Sequence, residues 1–139
     1  MLMIILKSFN LSIILSILIF SCSNSESTTG SEKTAIKNQL PDPLEAGWNG
    51  EKVCQLVEEN DHIRVLKCAF LPEVGHEKHY HDPHVGYTLA GGRFIITDES
   101  GTREVNVPTG YSFSNDSITS HEVLNIGETT AVFLIIEYK

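Results

Sequence analysis

Apolar and polar residues alternate in short runs along most of the chain, and this pattern predicts strands rather than helices. From Val53 onward the runs are separated by residues that favour turns, and no long stretch has helical periodicity. The last run, residues 130–138, is almost entirely apolar, which is typical of a central strand buried on both faces. Many short strands with regular turns indicate an all-β sandwich or barrel.

The first two predicted strands, residues 53–58 and 63–70, form a hairpin that turns near Asp61. Pairing about that centre places three pairs of residues opposite each other: Glu58 with Arg64, Leu56 with Leu66, and Cys54 with Cys68. A charge pair, an apolar pair and a thiol pair support one register, because favourable cross-strand pairs fix it. Directly opposed cysteines are also close enough for a disulfide; two buried free thiols are the other interpretation.

The N-terminal segment, residues 1–21, has the pattern of a secretory signal peptide. Lys7 precedes an apolar stretch over residues 9–20, and the small Ser21 stands before Cys22. This resembles the lipobox of bacterial lipoproteins, in which the signal is cut before a cysteine that then carries lipid. The resemblance implies that Cys22 is lipidated and anchors the protein in a membrane of the cell envelope, facing the periplasm or the exterior. An uncleaved signal anchor, or ordinary cleavage nearby, is the alternative.

Residues 22–43 are rich in serine, threonine and charged residues and are predicted to be a flexible polar linker. Pro41-Asp-Pro43 marks its end, so the predicted β-domain covers residues 44–139. The whole chain carries a formal net charge of −8 and has no basic patch, which makes nucleic acid and anionic lipid surfaces poor partners. Of the three cysteines, a lipidated Cys22 would leave two to pair in an oxidising compartment.

Histidines are concentrated in one short segment. Four of the six lie between residues 75 and 84, and another follows downstream: His76, His79, His81, His84 and His121. Side chains in a strand alternate between faces, so the two rings of a His-x-His sequence point the same way. Neutral imidazole is the commonest metal ligand in proteins. His79 and His81 are therefore predicted to chelate a metal, with His84 and His121 as the further donors.

The remaining polar residues near this segment have simpler interpretations. His76 falls on the opposite strand face from His79 and is predicted to lie on the surface, and His62 is placed in an exposed hairpin loop. Glu77 is interpreted as an exposed strand carboxylate rather than a base. For His84, contact with a substrate or support of another ligand stays open beside metal ligation.

Residues 53–138 resemble the cupins, which are small antiparallel β-barrels of the jelly-roll kind. Gly75, His79-Tyr-His81 and Gly91 resemble the first cupin motif, with His84 at the position of its usual glutamate ligand. Downstream, residues 108–110 (Pro-x-Gly) and 121–125 (His-x-x-x-Asn) resemble the second motif. Ten residues separate its two halves here instead of two.

The resemblance implies an all-β antiparallel double-stranded β-helix, the cupin jelly-roll barrel, following the signal peptide and linker. It implies a divalent transition metal, and histidine in place of glutamate favours zinc, iron, nickel or copper over manganese. A pocket lined by Tyr87, Tyr111 and Phe113 would hold a small molecule. The extra residues 111–119 would form an added hairpin or lid. Many cupins are homodimers, and by analogy the resemblance implies a homodimer here.

The resemblance also implies metal-dependent dioxygenase or isomerase chemistry on a small organic molecule. No individual catalytic residue is assigned, because the fold supports many reactions. The alternative is a protein that captures a metal or small ligand at the cell envelope without turnover.

Overall fold

Two antiparallel sheets face each other and enclose the core of the domain. The computed structural model describes residues 28–139, with side chains from residue 34 onward; the predicted signal peptide and Cys22 lie outside the described residues. The elements are α1 (Thr28–Gln39), β1 (Gly47–Trp48), β2 (Glu51–Lys52), β3 (Cys54–Glu59), β4 (Ile63–Phe70), β5 (Gly75–His81), β6 (His84–Ala90), β7 (Gly92–Asp98), β8 (Gly101–Val107), β9 (Ser112–Asn115), β10 (Thr119–Asn125) and β11 (Ala131–Tyr138).

The strand order shows how the chain crosses between the sheets. The larger sheet has the order β3-β4-β11-β6-β9 and the smaller β5-β10-β7-β8, while β1 and β2 pair as a separate ribbon. The last strand, β11, lies between β4 and β6. This central position confirms the strand predicted from the apolar run at residues 130–138.

The apolar core lies between the two sheets. Phe70, Phe94 and Phe133 meet edge to face, with ring centroids 5.4 to 5.8 Å apart, the geometry that aromatic pairs prefer. Leu66 and Ile135 are buried beside them. Burial of each such side chain stabilises the fold by roughly 1.5–3 kcal/mol, and strand alternation supplies these residues from both sheets.

The first hairpin has the predicted register at its open end. Cys54 lies opposite Cys68 and Leu56 opposite Leu66. The structure joins the two cysteines through a disulfide bond across the strands. Both cysteines are buried, and Cys68 also faces the cavity between the sheets.

Nearer the turn, the predicted pairing of Glu58 with Arg64 is wrong. A β-bulge between Leu56 and Glu58 adds one residue to β3, so that Glu59 lies opposite Arg64. A bulge sets two residues against one and shifts every later pair. Arg64 makes its ion pairs with carboxylates from other parts of the fold, Asp42 and Glu137, while Glu59 pairs with Lys139.

Asn125 ties the end of β10 to the neighbouring turns and is fully buried. Its amide nitrogen donates to the carbonyls of Phe70 and Thr129, both at 2.9 Å, and of Leu71 at 3.2 Å. Its oxygen accepts the N–H of Gly127 at 2.9 Å. The asparagine of the second cupin-like motif therefore satisfies buried backbone groups of the scaffold.

Part of the predicted linker is helical. Residues 28–39 form helix α1, and Lys37 of this helix pairs with Asp82 in the turn between β5 and β6. Pro43 is fully buried, and Asp42 accepts the N–H groups of Leu44 and Glu45 in a turn. The chain therefore packs against the barrel before the predicted domain boundary at residue 44.

Within residues 28–139, no helix has both the length and the apolar character needed to cross a membrane.

The disulfide gives a test of the fold. The Cys54→Ala/Cys68→Ala double variant is expected to lose roughly 2–4 kcal/mol of unfolding free energy, because the cross-link restricts the unfolded chain. Guanidinium denaturation measures this loss. Reductant should lower the stability of the wild type and leave the double variant unchanged, which separates the cross-link from lost packing. Equal midpoints for oxidised and reduced wild type would contradict the expectation.

Candidate metal centre

Two adjacent strands bring three histidines together inside the sandwich. His79 and His81 both lie on the inner face of β5, where they are 0% and 4% exposed, as strand alternation predicts. On the neighbouring strand β10, His121 lies directly opposite His79. The side chains of residues 79, 81 and 121 therefore share one face of the smaller sheet.

The ring nitrogens of these histidines converge. Nε2 of His79 lies 3.0 Å from Nε2 of His81, and one nitrogen from each of the three rings lies within 4.8 Å of the other two. Among the described residues, this is the group of histidine, cysteine and carboxylate donors with a spacing that suits a metal ion.

Hydrogen bonds at the far side of two rings fix which nitrogen carries the proton. His79 Nδ1 lies 2.7 Å from the carbonyl oxygen of Glu77, and His81 Nδ1 lies 2.7 Å from Oε1 of Glu137. A carbonyl or carboxylate oxygen can only accept, so each Nδ1 carries the hydrogen. Both Nε2 atoms then present lone pairs to the interior.

The donor set therefore fits a divalent transition metal. Two lone pairs facing each other at 3.0 Å repel unless a cation or a shared proton lies between them. Two nitrogens at this separation can each lie about 2.0–2.1 Å from one ion, the usual distance for imidazole and zinc. Neutral imidazoles held by hydrogen bonds at the other nitrogen are the usual arrangement of histidine metal ligands.

His84 lies beside this group, with its ring centroid 4.9 Å from that of His81. Its Nδ1 donates to the carbonyl of Asp82 at 2.7 Å, which leaves Nε2 as an acceptor facing the cavity. Asn115 Nδ2 approaches that Nε2 at 3.4 Å, and the Phe113 ring lies edge-on at 6.0 Å. The predicted fourth donor is thus buried next to the cluster but outside the group of three.

His76 is not on the surface, contrary to the prediction. It is 1% exposed, and its ring lies 3.8 Å from that of His79. The cause is a β-bulge: His121 pairs with His79, but Val123 pairs with His76, so β5 has one residue more than β10 in this interval. The extra residue returns His76 to the inner face.

His62 and Glu77 are exposed, as predicted. Glu77 accepts the backbone N–H of Asn49 at 3.3 Å, so its side chain supports a turn and not the metal site.

Burial sets the protonation state of the cluster. Desolvation lowers the pKa of His79, His81 and His121 below the ordinary histidine value, and the neighbouring imidazoles lower it further. The pKa of His121 falls to about 4. Desolvation also lowers the pKa of His76. All four rings are therefore neutral near pH 7, the form that binds metals.

Sequence reasoning missed Glu137, which supports His81 from behind. It is 1% exposed on β11, and its Oε2 accepts from Arg64 Nη2 at 2.6 Å and Nε at 2.8 Å. Burial raises the pKa of Glu137, and the hydrogen bond from Arg64 opposes that shift. The signal was present, since Glu137 is the one acid in an apolar strand and shares the inward parity of Phe133 and Ile135.

A cavity of about 740 Å³ opens from the histidines between the sheets. Tyr111 and Phe113 line it as predicted, whereas Tyr87 does not. Tyr87 is 44% exposed because it has the opposite strand parity from His84 on β6. The Phe113 ring lies against Gly86, where a Cβ atom would be 2.1 Å from the ring.

Residues 111–119 do not form an added hairpin. Residues 112–115 are β9, which pairs with β6 at the edge of the larger sheet. The chain then crosses to β10 in the smaller sheet. The long interval in the second motif is therefore an edge strand and a crossover, and both contribute residues to the lining of the cavity.

Two antiparallel sheets face each other with histidines between them, and a solved cupin domain shares this fold. A cupin domain from Bordetella pertussis Tohama I matches with a TM-score of 0.59 and 22% sequence identity, covering 73% of this chain and 97% of that chain. At this identity the likeness shows the fold alone.

Weaker structural matches include proteins with different described activities. A predicted oxalate decarboxylase from Thermotoga maritima has a TM-score of 0.49 and 20% identity, covering 62% of this chain and 79% of that chain. The polyketide cyclase RemF from Streptomyces resistomycificus has a TM-score of 0.49 and 18% identity, covering 68% and 73%. No protein-family model matches the sequence. No curated protein matches it either.

The lowered pKa values predict an acid-sensitive fold. The unfolded chain protonates its histidines near pH 6.5, whereas His121 in the folded state does so at about pH 4. Stability of the metal-free protein is therefore full above about pH 6.5 and falls as the pH drops toward 4. Chemical denaturation between pH 7 and 5 should show a loss of roughly 1 kcal/mol or more per pH unit.

The matched comparison uses two histidine variants. His121→Asn should reduce the slope by the share of one histidine, because the other buried rings still titrate. His62→Ala, at an exposed position, should keep the wild-type slope. A wild-type stability that stays constant from pH 7 to 5 would contradict the buried neutral cluster.

Proposed function

We propose that this protein is a metal-dependent cupin enzyme, a dioxygenase or isomerase acting on a small organic molecule, exported as a lipoprotein to the cell envelope. The convergence of imidazole lone pairs carries the proposal. Nε2 atoms of His79 and His81 face each other at 3.0 Å, with both Nδ1 protons committed to protein acceptors.

The metal would be held by His79, His81 and His121, with His84 as the adjacent further donor. Zinc, iron, nickel and copper all suit a nitrogen-rich set of this kind. Bound there, the metal would supply Lewis-acid or redox chemistry to a coordinated substrate. The chain itself fixes the ring orientations of His79 and His81 through hydrogen bonds at Nδ1.

The cavity favours a largely apolar substrate. Its walls include Phe70, Phe94 and Phe133 from the core. Among the described residues that line it, Arg103 is the only lysine or arginine, and it pairs with Asp98 at 2.7 Å. A substrate that coordinates through oxygen atoms and carries an apolar body fits this lining better than a dicarboxylate or a phosphate ester.

The cellular setting follows from the N-terminal signal pattern and Cys22. A domain held outside the cytoplasm meets small molecules that enter the envelope. The Cys54–Cys68 disulfide is consistent with an oxidising compartment.

Metal analysis tests the proposal. Protein purified without a histidine tag should contain about one equivalent of a transition metal, measured by mass spectrometry. The His79→Ala/His81→Ala double variant should lose at least about 90% of it, because the remaining imidazoles cannot chelate as a pair. His62→Ala is the matched control and should keep the wild-type content. Full metal content in the double variant would contradict the assigned site.

One observation favours the non-catalytic alternative. The carboxylates lining the cavity, Asp98 and Glu99, lie at the turn between β7 and β8, and the bases closest to the group of three are the imidazoles of His76 and His84. Oxygen uptake and product analysis over a panel of diols, thiols and keto acids separate the roles. Turnover that is lost in His79→Ala supports an enzyme, whereas ligand binding without turnover supports a binding protein.

A further inference from the structure

A short segment before the first strand crosses the outside of the barrel next to the metal-binding strand. We call residues 41–46 the N-terminal strap. The carbonyl of Pro41 accepts the N–H of Tyr80 on β5 at 3.1 Å. Pro43, within the strap, is fully buried, and the neighbouring Asp42 reaches Arg64 of β4 with its carboxylate.

From Asp42, an unbroken series of hydrogen bonds leads to a metal-binding histidine. Asp42 Oδ2 accepts from Arg64 Nη1 at 2.8 Å. Arg64 donates from Nη2 and Nε to Oε2 of Glu137, and Oε1 of Glu137 accepts from Nδ1 of His81. The side chains become more buried along this path, from 21% exposed at Asp42 to 15% at Arg64 and 1% at Glu137.

Each member of this series constrains the next. Glu137 is a buried carboxylate and needs a cationic partner, which Arg64 provides in a two-point contact. The Arg64 guanidinium is planar, so its contact with Asp42 on one side fixes the plane in which it meets Glu137 on the other. Glu137 in turn sets the proton position and the ring orientation of His81.

We propose that Asp42, Arg64 and Glu137 are positioning residues for the metal centre, so that docking of the N-terminal strap sets its metal affinity. The inference rests on the proposed function, since it assumes that His81 is a ligand. It connects the metal site to the segment through which the chain would leave the barrel toward its membrane anchor.

A purely structural role for the same contacts would give a different result. If the ion pairs only hold the strap against the barrel, loss of any contact that docks this region should weaken metal binding to the same extent. Lys37 provides the matched comparison, because it anchors helix α1 to Asp82, whereas the ion pairs of Glu137 in the described part of the chain are with Arg64 and His81. Arg93 and Glu104 form an exposed ion pair on the smaller sheet and serve as a second control.

The experiment titrates the metal-free full chain with Co²⁺ and records the visible spectrum, which reports ligand geometry, beside thermal unfolding of each metal-free variant. Glu137→Gln should weaken Co²⁺ binding by about 10- to 100-fold and shift the spectrum. Asp42→Asn should weaken binding by a smaller factor, about 3- to 10-fold, and Asp42→Glu should restore most of it. Lys37→Gln and Glu104→Gln should bind within about twofold of the wild type.

The outcomes separate this inference from the function on which it rests. Wild-type Co²⁺ binding together with unchanged affinity and spectrum in Asp42→Asn and Glu137→Gln would overturn the positioning role and leave the metal site intact. An equal loss in Lys37→Gln and Asp42→Asn would also overturn it, in favour of general docking. Failure of the wild type to bind Co²⁺ would remove both proposals. If Glu137→Gln does not fold, Asp42→Asn and Asp42→Glu decide alone.

Discussion

A buried imidazole needs an acceptor for its ring N–H, and the candidate site depends on this constraint. His79, His81 and His84 satisfy it in the same sense: each donates from Nδ1 to an oxygen behind the ring. Every Nε2 is thereby left as a lone pair. Several Nε2 acceptors therefore lie close together inside the sandwich without donors of their own among the three rings. A bound cation would stabilise this arrangement.

The oxygens that accept from the three Nδ1 atoms come from different distances along the chain. Backbone carbonyls two residues away serve His79 and His84, whereas His81 is served by a carboxylate 56 residues downstream. A buried carboxylate is costly to desolvate without a charged partner, and this explains why Arg64 is turned inward. The orientation of the His81 ring therefore depends on contacts between distant strands, whereas those of His79 and His84 depend on carbonyls in the same segment.

The sequence was informative where period-two alternation held and misleading where it was interrupted. Alternation placed His79 and His81 together, and motif spacing added His121. Both errors in register arose at bulges, which moved His76 inside and shifted the partner of Arg64. A bulge adds a residue without a distinctive sequence. The partnership of Asp42 with Arg64 could not be predicted either, because it joins segments that only the tertiary fold brings together.

The contact between Gly86 and Phe113 makes the shape of the cavity sensitive to the residue at position 86. The ring rests on bare backbone, and a single methyl group at residue 86 would displace it. Since Phe113 also borders His84, the displaced ring would narrow the passage that leads to the histidines. A larger residue at position 86 would therefore reshape the cavity without any change to the histidines. The size of the molecule that fits and the donors that surround it are thus set by different residues.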